Sequence, residues 1–109
     1  MPKYMYQARY SVEGYRGLLK DTPSGRRKAV ELAVQALGGK LESFHYCFGS
    51  DDVVLILELP DNITAAGLAL TVSATGMVRG RLTTLLTVDD ADKALGVNPN
   101  YVPPGHIKK

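Results

Sequence analysis

His45 is the one side chain in a strand-like run whose unperturbed pKa lies near neutrality, which makes it the first candidate for acid–base chemistry. It sits between Phe44 and Tyr46. Either it works as an acid or base beside a cavity, or it is a partly buried histidine satisfied by a backbone carbonyl. Arg79 and Arg81 fall two residues apart, on one face of a later strand-like run. With Arg9 on the first run they make an anion site if the faces agree, since guanidinium donors form a planar fork suited to carboxylate or phosphate. The competing reading is ion pairing with Glu58 or Glu42, or contact across a subunit boundary. Tyr46, with Tyr4 and Tyr6, either lines a pocket or packs in a core or interface. Any chemistry therefore falls to His45, with Arg79 or Arg81 holding an anionic group and Arg9 and Tyr46 as further ligand-binding candidates.

Other charged clusters carry less. Asp51 and Asp52 are adjacent, and adjacent side chains in extended chain point to opposite sides, which argues against shared chelation. A solvated hairpin turn, or a cap by Asp52, is the expected role. Asp89, Asp90 and Asp92 lack the spacing and central glycine of a calcium loop and read as helix-start acids. Arg26, Arg27 and Lys28 crowd a helix start, where they either bridge an anion or form a solvated surface run. There is no phosphate-binding glycine loop, no Cys/His metal spacing and no nucleophile motif. No metal and no cofactor is expected.

These residues need elements to place them. Lys3–Tyr10 alternates as a strand, with Tyr4, Tyr6, Ala8 and Tyr10 on one face and Lys3, Met5, Gln7 and Arg9 on the other. Ser11–Gly14 is expected to turn, and Gly14–Lys20 to form loose helical turns. Thr22-Pro23 opens a long helix, with Val30, Ala33, Val34 and Leu37 as its apolar stripe and Gly38-Gly39 as its stop. Strands follow over 40–48 and 52–59, joined by the Gly49–Asp51 turn and ended by Pro60. Asp61 or Asn62 caps a second helix rich in small residues, reaching Thr75, with Gly76 after it. Val78–Leu86 is the last strand, and Thr87 caps a short final helix. The order is β-α-β-β-α-β plus a C-terminal helix, the ferredoxin-like α+β pattern, with expected strand order 4-1-3-2 and both long helices on one sheet face. The other face also reads as apolar and needs a cover, which predicts a homodimer or larger homo-oligomer. The domain is placed at 1–97. Residues 98–109 form an extended Pro-rich tail expected to lie along the protein and a neighbouring subunit.

Composition sets outer bounds. The 109 residues suit one domain, and 45% hydrophobic residues suffice for one core. Thirteen basic and eleven acidic residues nearly balance, so nucleic acid is not expected as a partner. Six tyrosines without tryptophan give no RNA-binding signature. No apolar stretch is long enough for a bilayer, and the single Cys47 excludes an internal disulfide, so a cytoplasmic setting is expected.

Pro2-Lys3-Tyr4, Gly38-Gly39-Lys40-Leu41, Gly49, Asp52-Val53-Val54 and Val78-Arg79 occur in an order and spacing that resembles the GYD-domain family of small bacterial and archaeal proteins, grouped with the dimeric α/β-barrel proteins. The resemblance runs from about Pro2 to Asp90. Its eponymous Gly-x-Tyr-Asp turn reads Gly49-Ser50-Asp51-Asp52 here, with Asp51 in place of the tyrosine. The resemblance implies a dimeric α/β-barrel assembly and brings no biochemical activity with it. The expected function is a homo-oligomeric module binding a small ligand between sheet and helices or at a dimer interface. The alternative is a cofactor-independent enzyme, monooxygenase- or isomerase-like, acting on a small aromatic or carbonyl substrate.

Overall fold

The computed structural model describes residues 1–108. Four antiparallel strands, β1 (Lys3–Tyr10), β2 (Lys40–Tyr46), β3 (Val53–Glu58) and β4 (Val78–Leu85), form one sheet in the order β2-β3-β1-β4. Read from the other edge this is the expected 4-1-3-2. Helices α1 (Val12–Asp21), α2 (Pro23–Ala36), α3 (Asn62–Ala74) and α4 (Val88–Ala94) complete an α+β fold with the ferredoxin-like element order. The helix α1 and the helix α4 are additions to that order.

The first helix is firmer than its sequence suggested. The Ser11 hydroxyl accepts from Gly14 N at 3.1 Å, so residues 11–14 are a helix cap rather than a free turn. Gly14 also has a packing reason: a Cβ there would collide with the Met77 carbonyl. Thr22 ends α1, donating its N–H to Leu18 O at 2.8 Å, and caps α2 by accepting from Gly25 N at 3.2 Å. A single residue thus joins two helices. It does so at φ +70°, ψ 155°, a region nearly reserved for glycine.

The inner sheet face carries the core. Tyr4, Ala8, Val53, Leu55, Leu57 and Leu59 are buried there with Leu41, against Val34 of α2 and Ala65 of α3. The Tyr4 hydroxyl donates to Asn62 Oδ1 at 2.6 Å, tying β1 to the first turn of α3. One irregularity matters for side-chain direction. Between Leu41 and Ser43 the β2–β3 register slips, leaving Glu42 unpaired, so Leu41 and Phe44 both face inward, opposite Leu57 and Leu55.

The outer face is less apolar than expected. Met5, Val54, Ile56 and Leu85 form its half-buried centre, while Lys3, Glu58, Arg9, Arg79 and Arg81 surround it. The tail does not lie along its own body. The molecule measures 62 × 29 × 24 Å with a radius of gyration of 17.8 Å, against about 13 Å for a compact chain of this size. Among the described residues, no helix is long and apolar enough to cross a membrane.

Candidate functional site

Helices α2 and α3 cover the same sheet face but stand apart, each packing on the strands rather than on the other. A cleft of about 190 Å³ opens between them. Its floor is Tyr6 of β1, Phe44 of β2, Leu55 of β3 and Leu82 of β4. Its walls are Ala29, Val30 and Ala33 from α2 and Leu68, Ala69 and Val72 from α3. Ala29 and Ala33 lie one turn apart on the same stripe, so their short side chains leave room along the helix. A second hollow of about 390 Å³ lies towards α1 and the end of α3. Tyr10, Arg26, Val72 and Val78 border both spaces, so they meet at the mouth of the cleft. The second hollow is the larger, but it is a shallower mix of glycine, charged and apolar residues, and the apolar cleft is the better-formed site.

Polar groups in the cleft are few and placed. The Tyr6 hydroxyl is buried and has no hydrogen-bond partner among the described residues. The ring reaches across β4 because position 80 is glycine; a Cβ there would overlap the phenol. Burial pushes the Tyr6 pKa up, so the group stays a protonated donor. At the mouth, Arg26 Nη1 lies 3.3 Å from Asp21 Oδ2. Tyr46 donates to the Pro23 carbonyl at 3.1 Å and sits edge-on to Phe44, with ring centroids 5.3 Å apart. Burial, with neighbouring Tyr10 adding to it and Arg26 opposing, pushes the Tyr46 pKa up to about 12.

Beyond the cleft, Asp52 fastens the β2–β3 hairpin to the rest. Its Oδ2 accepts from Tyr10 N at 2.9 Å and from the Tyr15 hydroxyl at 2.6 Å. Burial alone would raise its pKa, but these two hydrogen bonds and the Arg9 charge hold it below the usual carboxylate value. The same bond raises Tyr15. Asp51 pairs with Arg81 at 3.1 Å, and Arg9 Nη1 donates to the Ser50 carbonyl at 2.7 Å. The adjacent aspartates thus diverge, as extended chain requires.

The structure divides the sequence-derived candidates. Arg9, Arg79 and Arg81 share the outer face, with Arg9 opposite Arg79. Arg81 takes Asp51 rather than Glu58 or Glu42 as its partner, and Glu42 pairs with Lys3. His45 lies on that same face, in a row with Val54, Gln7 and Arg81, but at the opposite sheet edge. Three strand spacings separate it from Arg81, about 14 Å. None of Arg9, His45, Tyr46, Arg79 and Arg81 borders either cavity. Tyr46 is on the inner face, beside the start of α2 and outside the lining of the cleft. Among the described residues, no group of three His, Cys, Asp or Glu side chains is placed to hold a metal ion. What sequence reasoning did not assemble was Tyr6 with Tyr10, Arg26 and the alanine walls. Their signal was the small-residue pattern of the helices and the inward parity of the β1 tyrosines.

Comparison with family models gives the GYD domain, matched over residues 4–95. Comparison with curated proteins and with solved structures gives no match.

Proposed function

The chain belongs to the GYD domain family, and from that premise we propose that it is a small-molecule-binding domain whose ligand enters the cleft between α2 and α3. The observation that carries this reading is the Tyr6 hydroxyl, a buried donor left without a partner on a side chain that forms part of the floor of an apolar cleft. Such a group costs free energy unless something accepts its hydrogen bond. A ligand with one carbonyl or ether oxygen on an apolar body supplies that acceptor. Size narrows the class further. The 190 Å³ cleft is slightly larger than a dry cavity of about 150 Å³ that holds benzene. A single-ring ketone or ether fits; a drug-sized or nucleotide ligand does not.

Acetophenone and ethylbenzene form the matching pair of probes, alike in shape but differing in the acceptor. Titration followed by amide chemical shifts should move Tyr6, Ala33, Phe44 and Ala69. Acetophenone should bind more tightly than ethylbenzene. Tyr6→Phe should cost acetophenone about tenfold, one hydrogen bond, and leave ethylbenzene unchanged. No response along the cleft, or equal affinities in wild type and Tyr6→Phe, would refute the reading.

We also propose self-association through the outer sheet face, supported by its half-buried apolar centre and charged rim, the pattern of a recognition surface. For the enzymatic alternative, His45 and the arginines face this outer side and border neither the cleft nor the second hollow; a second copy would have to close a site around them.

A further inference from the structure

One charged side chain reaches the cleft. Among the described residues that line it, Arg26 alone carries a charge, and the rest are apolar apart from the hydroxyls of Tyr6 and Tyr10. Helix α2 begins at Pro23, so Arg26 stands in its first turn. Arg26, Ala29, Val30 and Ala33 fall at i, i+3, i+4 and i+7, so the arginine stem continues the apolar wall outward to the mouth. The side chain is half-buried, and one of its five N–H groups is engaged, through Nη1 with Asp21 Oδ2 at 3.3 Å. Tyr10 raises the pKa of Tyr46 and the Arg26 charge lowers it, which gathers these polar groups at the same end of the molecule. The register sets the distance between that end and the floor. The Tyr6 phenol lies over position 80, which pairs with Ala8, and Tyr10 pairs with Val78. One two-residue step of strand, about 7 Å, therefore leads from the phenol to the row at the mouth.

We propose that Arg26 selects a monocarboxylate, and that the ligand is a single-ring keto acid with its ring between α2 and α3, its ketone oxygen on the Tyr6 hydroxyl and its carboxylate on the Arg26 guanidinium. The inference deepens the cleft reading above and rests on it. Three features favour an anionic tail over a neutral or cationic one. The planar guanidinium fork matches a carboxylate in shape as well as charge, and most of its donors are unspent. The nearby acids do not reach into the cleft: Asp21 and Glu13 border the second hollow, and Glu13 is already paired with Arg16 at 3.1 Å. Asp21 holds Arg26 through one long contact, with its own side chain 48% exposed, so water replaces the guanidinium there readily when a ligand takes it. Third, the mouth opens into the second hollow, so a carboxylate bound there keeps water on its far side and avoids full desolvation. A linker of one to three methylenes between ketone and carboxylate suits the single step from phenol to mouth.

3-Benzoylpropionate and butyrophenone test this, because they differ only in a carboxylate exchanged for a methyl group. Titrations of the full chain near neutral pH and at low salt, followed by amide chemical shifts, should move Tyr6, Ala33 and Ala69 with both ligands. The acid should bind about tenfold more tightly, the effect of one charge-assisted hydrogen bond. Arg26→Gln should close that gap and leave butyrophenone unchanged, and Arg26→Lys should restore part of it. Asp21→Asn, which releases the guanidinium, should raise the affinity for the acid severalfold. Added salt should narrow the gap. Thermal melts of each variant verify the fold, which loses only an exposed ion pair. Equal affinities in wild type, or a gap that survives Arg26→Gln, would overturn the carboxylate inference while sparing the cleft. Acid binding without a response at Tyr6 and Ala69 would place the anion elsewhere and overturn it as well. Failure of acetophenone and butyrophenone alike to bind would refute the cleft reading and this inference with it.

Discussion

Asp52 does at the residue scale what a disulfide does elsewhere, joining three separate stretches of chain. It ties the β2–β3 hairpin to the end of β1 and to α1 through two hydrogen bonds. Asp52→Ala leaves the Tyr10 N–H without its partner and should cost about 1–3 kcal/mol in urea denaturation; Tyr15→Phe, which removes the more exposed bond, should cost less. The pH dependence has a definite sign. The folded pKa of Asp52 lies below its ordinary 3.8, so its contribution is complete above that value and is lost as pH falls through the folded value. Stability below pH 3.8 should therefore decline less steeply in Asp52→Ala than in wild type. Tyr46 gives the opposite limb. Its pKa rises from 10.0 to about 12, so its contribution is complete below pH 10 and is lost on rising towards 12. Tyr46→Phe should flatten the alkaline limb of the stability curve over that window, measured by denaturation at fixed pH steps. Neither limb could be read in the sequence. Asp52 was legible as a hairpin or cap residue, but its acceptor role depends on Tyr10 and Tyr15, which are far away along the chain. His45 stood out by its chemistry alone, and its place on the outer face depends on the slip at Glu42.

Among the elements, the α1–α2 joint separates two opposing effects at one position. Thr22 caps α2 with its hydroxyl and holds a glycine-like backbone conformation. Thr22→Ala loses the cap, about 1 kcal/mol, and keeps the strain. Thr22→Gly loses the same cap but relieves strain of about 1–3 kcal/mol. The glycine variant should therefore be the more stable of the two by at least about 1 kcal/mol in paired urea titrations. The cleft makes a second demand on its helices. Ala33→Leu should fill it and abolish acetophenone binding, while the melting temperature stays level or rises, because Ala33 faces open space beside the core rather than a packed neighbour. Most elements were legible because their ends are chemically marked: Thr22-Pro23, Gly38-Gly39, Pro60, Asp61, Gly76. The helix α1 was legible only in part, as loose turns over Gly14–Lys20, since Gly14 and Gly17 weaken its propensity and its cap lies in Ser11, at the end of a strand. The separation of α2 and α3 was also hidden, because alanines on a helix suit close packing and an open cleft equally well.

At the scale of the whole molecule, the chain is a compact body with a projecting arm, and the two obey different rules. All buried core residues lie between Tyr4 and Ala65, so no part of the core depends on α4 or the tail. A chain ending at Thr87 should keep the cooperative melt of the body, followed by thermal circular dichroism. The sheet order and helix placement followed from period and caps, which are local. The bareness of the arm did not, because Leu86, Val88, Leu95 and Val97 look like core residues in sequence. Local pattern says that such side chains will be covered; it does not say by which chain.

The slip beside Glu42 makes the chain unequally tolerant of changes in length. Because Glu42 is the unpaired residue, deleting it would restore an unbroken ladder in which Leu41 still meets Leu57 and Phe44 still meets Leu55. The loss would be confined to the Lys3–Glu42 ion pair at the surface. Deleting His45 instead would turn Tyr46 outward and bring Cys47 to the cleft side. A gene for this domain can thus lose the Glu42 codon with little consequence, whereas loss of the codon three positions later would exchange the inward and outward sides of β2 beyond Phe44.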